Sequence, residues 1–111
     1  MRSIPRKLVY RRPRFRVDLP VVLHDEQGRR LHGRCSELSS EGAGLNLHEA
    51  PAAGKPVRVE IEVDEQVVRV TGCVVRQHGG NRFGLRFLPA GAEERRAIER
   101  MVALVQHNPF F

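Results

Sequence analysis

Val57-Arg58-Val59-Glu60-Ile61-Glu62-Val63 places an apolar residue at every second position and a charged residue between each pair. That period of two belongs to a β-strand with one face buried and the other in water. Reading outward from it decides the fold. Downstream, a turn near Asp64-Glu65-Gln66 leads into Val67 to Gln77. The doubled Val67-Val68 and Val74-Val75 make that strand apolar on both faces in places, so it is expected to lie centrally. Gly72 within it signals a bulge or a bend of the kind that closes barrels. Gly79-Gly80-Asn81 has the residues a tight hairpin demands, and Phe83, Leu85 and Phe87 alternate after it. Upstream, residues 49–56 are rich in Ala, Pro and Gly and form an irregular connection. Before them, Ala43, Leu45 and Leu47 share one strand face, and Leu31, Gly33 and Cys35 another. Asp25-Glu26-Gln27-Gly28-Arg29 reads as a turn, preceded by a strand with Phe15, Val17, Leu19 and Val21 on one face. Pro20 cannot donate to a ladder, so it marks an edge position or a break.

Strands in hairpin succession favour an antiparallel barrel over a parallel α/β sheet. Pro89-Ala90-Gly91 ends the strands. Ala92 to His107 then carries Ile98, Met101, Val102 and Val105 as one helical stripe, with Glu93 and Glu94 at the dipole's positive end. The stripe is expected to pack on the open end of the barrel. The fold class is all-β, a six-stranded antiparallel split barrel with a C-terminal helix. Residues 1–14 form a basic flexible arm and residues 15–107 the barrel domain, with its helix at 92–107.

With 111 residues, 41% hydrophobic and 29% charged, the chain has the composition of an ordinary globular domain with one modest core. No apolar run approaches the roughly 20 residues of a membrane span, and the basic start lacks a signal peptide's apolar segment. A cytoplasmic location without membrane insertion is expected. Cys35 and Cys73 lack CxxC spacing and read as reduced, partly buried thiols. His24, His32, His48, His78 and His107 are scattered without a metal-ligand pattern. No Ser/His/Asp grouping, metal set or phosphate loop is present, so neither catalysis nor a bound metal or cofactor is expected. Phe110 and Phe111 close the chain, and their role is not decided by the sequence.

The charge is unevenly placed. Residues 1–16 hold seven cations and no acid, leaving twelve cations against thirteen acids in the rest. Such an arm calls for an anionic partner. At its end stands Arg11-Arg12-Pro13-Arg14-Phe15-Arg16, and one hairpin later comes Glu37-Leu38-Ser39-Ser40-Glu41-Gly42. With the turn centred near Gln27, the returning strand sets Glu37 opposite Val17 and beside Arg16, so the two stretches meet at one end of the sheet.

That pairing resembles the PilZ domain, a bacterial receptor module for cyclic di-GMP, whose signatures are an RxxxR box and a [D/N]xSxxG turn. Arg12 and Arg16 match the first, with Arg11 as the doubled arginine. Ser39 and Gly42 match the second, and Glu37 stands where the family has Asp or Asn. Asn81-Arg82-Phe83-Gly84-Leu85-Arg86-Phe87 also looks like the family's last strand. The resemblance spans roughly Tyr10 to Gln106. It implies that Arg11, Arg12, Arg16, Glu37, Ser39 and Gly42 bind cyclic di-GMP, with Arg11 admitting a stacked ligand pair. It also implies that the arm orders around the ligand and that a downstream protein, which the sequence does not name, reads the change.

The chemistry of these residues suits that ligand. A guanidinium matches guanine O6 and N7, or phosphate oxygens, as a paired donor. A carboxylate at position 37 accepts from guanine N1–H and N2–H₂. Ser39 accepts or donates, and Gly42 permits positive φ and close backbone approach. Glu37 keeps the acceptor while adding a methylene and a torsion, at some expense in preorganisation. Arg14 is an auxiliary charge.

Three other readings stand beside this one. Glu37 can be a solvated strand-end residue paired with Arg16. The domain can be an adaptor that recognises a protein and binds no nucleotide. It can also be a small barrel holding nucleic acid through its arm, although Phe15 is the lone aromatic among the arginines, where single-strand binders use stacking platforms.

Overall fold

A computed structural model of the chain describes residues 13–52 and 54–107. Its strands are β1 (Phe15–His24), β2 (Arg30–Leu38), β3 (Gly42–Leu47), β4 (Pro56–Val63), β5 (Gln66–Gly79) and β6 (Arg82–Phe87), followed by helix α1 (Ala92–His107). All pairings are antiparallel. The strands close into a barrel in the order β1-β2-β3-β6-β5-β4. The six strands and the terminal helix are those expected from the sequence.

Alternation builds the interior. Val57, Val59, Ile61 and Val63 of β4 point inward, as do Val17, Leu19, Val21 and Leu23 of β1 and Phe83, Leu85 and Phe87 of β6. Ile98, Met101 and Val105 of α1 join this cluster, with Ala97 and Val102 half-buried at its edge. The helix covers apolar residues at one end of the barrel, which gives the stripe its purpose. Its first turn is tied down by Glu94. That carboxylate accepts from the Thr71 N–H (2.8 Å), the Thr71 hydroxyl (3.3 Å) and the Ala90 N–H (3.1 Å). Burial alone would raise the Glu94 carboxyl, but the amides of Ala90 and Thr71 and the Thr71 hydroxyl hold it below its ordinary value.

The doubled valines turn out differently from expectation. Val70 and Val74 are buried, but Val67 is 44% and Val75 55% exposed. In a barrel, β5 is central only in being paired on both sides; its outer face remains in water where no helix lies over it. The bulge in β5 lies beyond Gly72, between Val74 and Arg76. β5 pairs with β4 as far as Cys73 and with β6 from Gly72 onward, so the strand changes partners there. A Cβ at Gly72 would come within 2.8 Å of the Arg86 carbonyl oxygen. Pro20 sits immediately before the first β1–β4 pair, Val21↔Ile61, where its missing N–H costs no ladder bond.

Two of the turns are tightly made. Asp25 caps its turn by accepting from the N–H groups of Gln27 (2.9 Å) and Arg29 (2.8 Å). In the β4–β5 turn, Asp64 and Glu65 both have positive φ (52° and 65°), the requirement of a type I′ hairpin. Cys35 and Cys73 are free thiols. Burial pushes the Cys35 thiol up to about 12. Among the described residues no helix is long and apolar enough to cross a membrane.

Candidate functional site

The β1–β2 register predicted from the turn holds from His24↔Arg30 to Leu19↔Cys35, and then slips by one. The slip brings Glu37 opposite Arg16 rather than Val17. Against β2 the extra residue lies in β1, since Arg16–Leu19 spans three steps and Cys35–Glu37 two. Against β3 it lies in β2, which bulges at Ser36, where Cys35–Glu37 faces only Leu45–Gly44. The Cys35 thiol spans the bulge, donating to the Glu37 carbonyl at 3.3 Å. Strict alternation would have pointed Glu37 inward, beside Cys35. The extra residue turns Ser36 and Glu37 outward together and returns Leu38, fully buried, to the core. Re-aiming a side chain in this way is a common use of bulges.

Glu37 thereby enters a cleft of about 500 Å³ on the outside of the barrel, within the usual range of small-ligand sites. One wall is formed by Arg14, Glu37, Ser39 and Glu41. The floor includes Gly42, Gly44 and Gly84, and the far wall is Val75, Arg76, His78 and Arg86. A larger groove of about 1060 Å³ runs between α1 and the β4–β5 hairpin, but none of the motif residues lines it.

Arg14, read from the sequence as auxiliary, is the residue that engages Glu37. Its Nη1 donates to Glu37 Oε1 at 3.1 Å, with the two side chains 59% and 43% exposed. Arg16, the partner expected for Glu37, faces it across the ladder but is not among the residues lining the cleft. Alternation puts Arg14 and Arg16 on one face, either side of half-buried Phe15; Phe15↔Leu38 is the last β1–β2 pair, so Arg14 stands beyond the ladder, beside the turn that borders the cleft. An exposed ion pair of this kind contributes about 0–1 kcal/mol and is readily exchanged for another contact. Among the described residues none donates to the other carboxylate oxygen, Oε2. Arg11 and Arg12 lie outside the described residues.

Ser39 and Gly42 act first on the backbone. The Ser39 hydroxyl accepts from the N–H groups of Glu41 (3.1 Å) and Gly42 (3.2 Å). The Ser39 N–H donates to the Gly42 carbonyl at 2.9 Å, so serine closes the β2–β3 turn. Gly42 does not have the positive φ expected of it. It must be glycine for another reason: a Cβ there would lie 2.1 Å from the Leu85 carbonyl oxygen of β6. Close strand approach, the second of glycine's two uses, is the one that applies.

Arg76, His78, Arg86, Gly44 and Gly84 were not singled out from the sequence. They come from β3, β5 and β6, which are brought beside Glu37 by pairings such as Gly44↔Gly84 and Gly84↔Arg76. The available signal was the outward face of β6, which reads Arg82, Gly84, Arg86 against the buried Phe83, Leu85 and Phe87. Among the described residues Arg76, His78 and Arg86 take part in no ion pair. No group of His, Cys, Asp and Glu there is suited to hold a metal. The cleft offers donors for an anion, the carboxylates of Glu37 and Glu41 as acceptors, and a floor without side chains, an arrangement suited to a polar anion that also carries donors.

Comparison with known proteins agrees with this fold. No curated protein sequence matches the chain. Among solved structures, the PilZ domain of CeSA from a cellulose-synthesising bacterium superposes with a TM-score of 0.75 at 18% identity, over 86% of this chain and 99% of that one. The PilZ domain of YcgR from Escherichia coli, solved with c-di-GMP, gives 0.70 at 18% identity, over 86% and 90%. The Bacillus subtilis inhibitor of motility MotI/DgrA gives 0.64 at 16%, and this chain spans about half of it, 52%. At such identities the likeness is one of fold. The family profile for the PilZ domain matches residues 9–104, nearly the whole length, including the arginine box, the serine–glycine turn and the last strand; the chain belongs to the PilZ domain family.

Proposed function

We propose that the protein is a cytoplasmic cyclic di-GMP receptor that binds its ligand without turnover. In this reading Arg11, Arg12 and Arg16 bring the arm over the ligand, Glu37 accepts from a guanine edge, and Ser39 and Gly42 hold the turn against which it lies. Ordering the arm around the ligand presents a changed surface to a downstream protein, since binding is the only event available to carry a signal. The observation that supports this most directly is the β2 bulge. It turns Glu37, otherwise destined for the core, onto the outer face beside Arg14 and the Ser39–Gly42 turn.

Calorimetric titration of the purified protein with cyclic di-GMP tests the proposal. Saturable binding is expected, with two ligands per chain if Arg11 admits a stacked pair and one in Arg11→Leu. Absence of both heat and amide chemical-shift change at several hundred micromolar ligand would overturn it.

A second reading draws on the Arg14–Glu37 ion pair, which closes the carboxylate against its own chain. A PilZ-like adaptor that recognises a protein without nucleotide would use that closed state. The two readings assign opposite consequences to removing Glu37, as set out in the Discussion.

A further inference from the structure

β5 contains a bulge that mirrors the one in β2. Val74 pairs with Leu85, and Arg76, two residues on, pairs with the adjacent Gly84, so Val75 is the extra residue. Val74 is buried, while Val75 and Arg76 are both exposed. Without the bulge, Arg76 would point into the barrel with Val74. The two bulges thus flank β3 and β6, and each turns one charged residue outward, Glu37 from one side and Arg76 from the other.

These residues share a single cross-strand row: Glu37↔Gly44, Gly44↔Gly84, Gly84↔Arg76. All four line the cleft. The two positions between the charges are glycines, so no side chain stands between carboxylate and guanidinium. With neighbouring strands about 4.8 Å apart, the Glu37 and Arg76 backbones are roughly 14 Å apart along the row. A purine lying flat on Gly44–Gly84, with a glutamate at one edge and an arginine at the other, fits that span. Guanine presents donors, N1–H and N2–H₂, on one edge and acceptors, O6 and N7, on the other. The row presents an acceptor at one end and a paired donor at the other. Adenine replaces O6 by an amino donor, which a guanidinium cannot satisfy.

We infer that Arg76 is a specificity-determining residue of the ligand site, reading the O6/N7 edge of a guanine whose opposite edge is read by Glu37. The inference rests on the cyclic di-GMP reading above. It names Arg76 as the residue that separates guanine from adenine.

The experiment titrates wild type, Arg76→Ala and Arg76→Lys with cyclic di-GMP and cyclic di-AMP, with thermal unfolding of each protein alongside. Wild type is expected to prefer the guanine ligand. Arg76→Ala should lose roughly tenfold or more in affinity for cyclic di-GMP and little for cyclic di-AMP, so the preference narrows. Arg76→Lys should restore little of the affinity for cyclic di-GMP and leave the preference narrowed, because an ammonium is not a paired planar donor. Unfolding temperatures should be unchanged, since Arg76 is exposed and takes part in no ion pair among the described residues. Equal weakening towards both ligands would make Arg76 a phosphate contact and overturn base reading, as would unchanged binding in Arg76→Ala. Failure of wild type to bind cyclic di-GMP would overturn the receptor proposal and this inference with it.

Discussion

The face formed by β1, β4 and the first half of β5 treats its charges quite differently from the face formed by β3, β6 and the last part of β5. On the first, Glu60 takes the His24 Nε2 at 2.9 Å on one oxygen and the Arg69 Nε at 2.8 Å on the other. The His24 hydrogen bond is the foremost cause holding the Glu60 carboxyl low. Asp18 and Arg34 pair at 2.8 Å nearby, as do Asp25 and Arg29 in the first turn. Around the cleft, Arg76, His78 and Arg86 point at a glycine floor with no ion pair among the described residues, and the one pair present, Arg14–Glu37, is exposed. On the first face each of these acids is matched within the folded chain, while Arg58 and Glu62 of β4 make no ion pair among the described residues. The second gathers guanidinium groups and a carboxylate oxygen without a partner among the described residues around one cleft, as a binding surface does.

The glycines make this contrast testable, and the largest effect is expected there. Gly42→Ala should cost about 3 kcal/mol or more, at the upper end of overpacking penalties, because its Cβ meets a carbonyl oxygen at 2.1 Å. Gly84→Ala meets nothing nearer than the His78 Nε2 at 3.3 Å and the Arg76 Cβ at 3.7 Å, and should change stability by less than about 1 kcal/mol. Urea unfolding of the two variants checks this. Equal destabilisation would show that the glycine floor is a packing feature throughout.

Glu37 gives the next largest effect. If its carboxylate accepts from guanine, Glu37→Ala leaves donors unpaired and should lower affinity for cyclic di-GMP roughly ten- to a hundredfold. Glu37→Asp, with one torsion fewer to freeze, should bind as well as wild type or better. If Glu37 serves only to hold Arg14, its removal frees that arginine, and affinity for cyclic di-GMP and for RNA holds or rises. A titration with each ligand separates the two accounts by sign.

The smallest effect belongs to the internally satisfied region. Glu94→Ala should cost about 1–2 kcal/mol at neutral pH by leaving the Thr71 and Ala90 amides without their acceptor. Because the folded-state value of Glu94 lies below its unfolded one, its contribution is complete above the ordinary carboxylate range. It is lost as pH falls through the depressed value. Wild-type stability should therefore decline on acidification with a steeper slope than that of Glu94→Ala, read as urea midpoints across that range. Parallel slopes would show that Glu94 carries no such linkage.

Much of the architecture was legible because its causes are local. Alternation placed the apolar faces of β1, β3, β4 and β6, turn chemistry at Gly28 and Gly79-Gly80-Asn81 set the hairpins, and the Ile98–Met101–Val105 spacing announced a helix with one buried stripe. The count of residues about Gln27 was enough to predict the β1–β2 register as far as Leu19↔Cys35. The arginine box and the serine–glycine turn were likewise visible as motifs. The sequence by itself therefore determined a barrel with a helix and the end at which its two motifs meet.

What lay beyond it came from mismatch between paired strands. β2 carries one residue more than β3 between Cys35 and Glu37, and β5 one more than β6 between Val74 and Arg76, past the end of its ladder with β4. The unmatched residue becomes the bulge at Ser36 or at Val75. Those two bulges turn Glu37 and Arg76 outward, the separate β1–β2 slip sets Glu37 opposite Arg16, and the regular β3–β6 ladder lays Gly44 against Gly84 between them. Gly42 is required by a carbonyl of β6, more than forty residues away in the chain. Period and propensity are properties of neighbouring residues, whereas ladder mismatch and close approach exist only once distant strands have paired, and so only the tertiary structure could place the cleft's far wall.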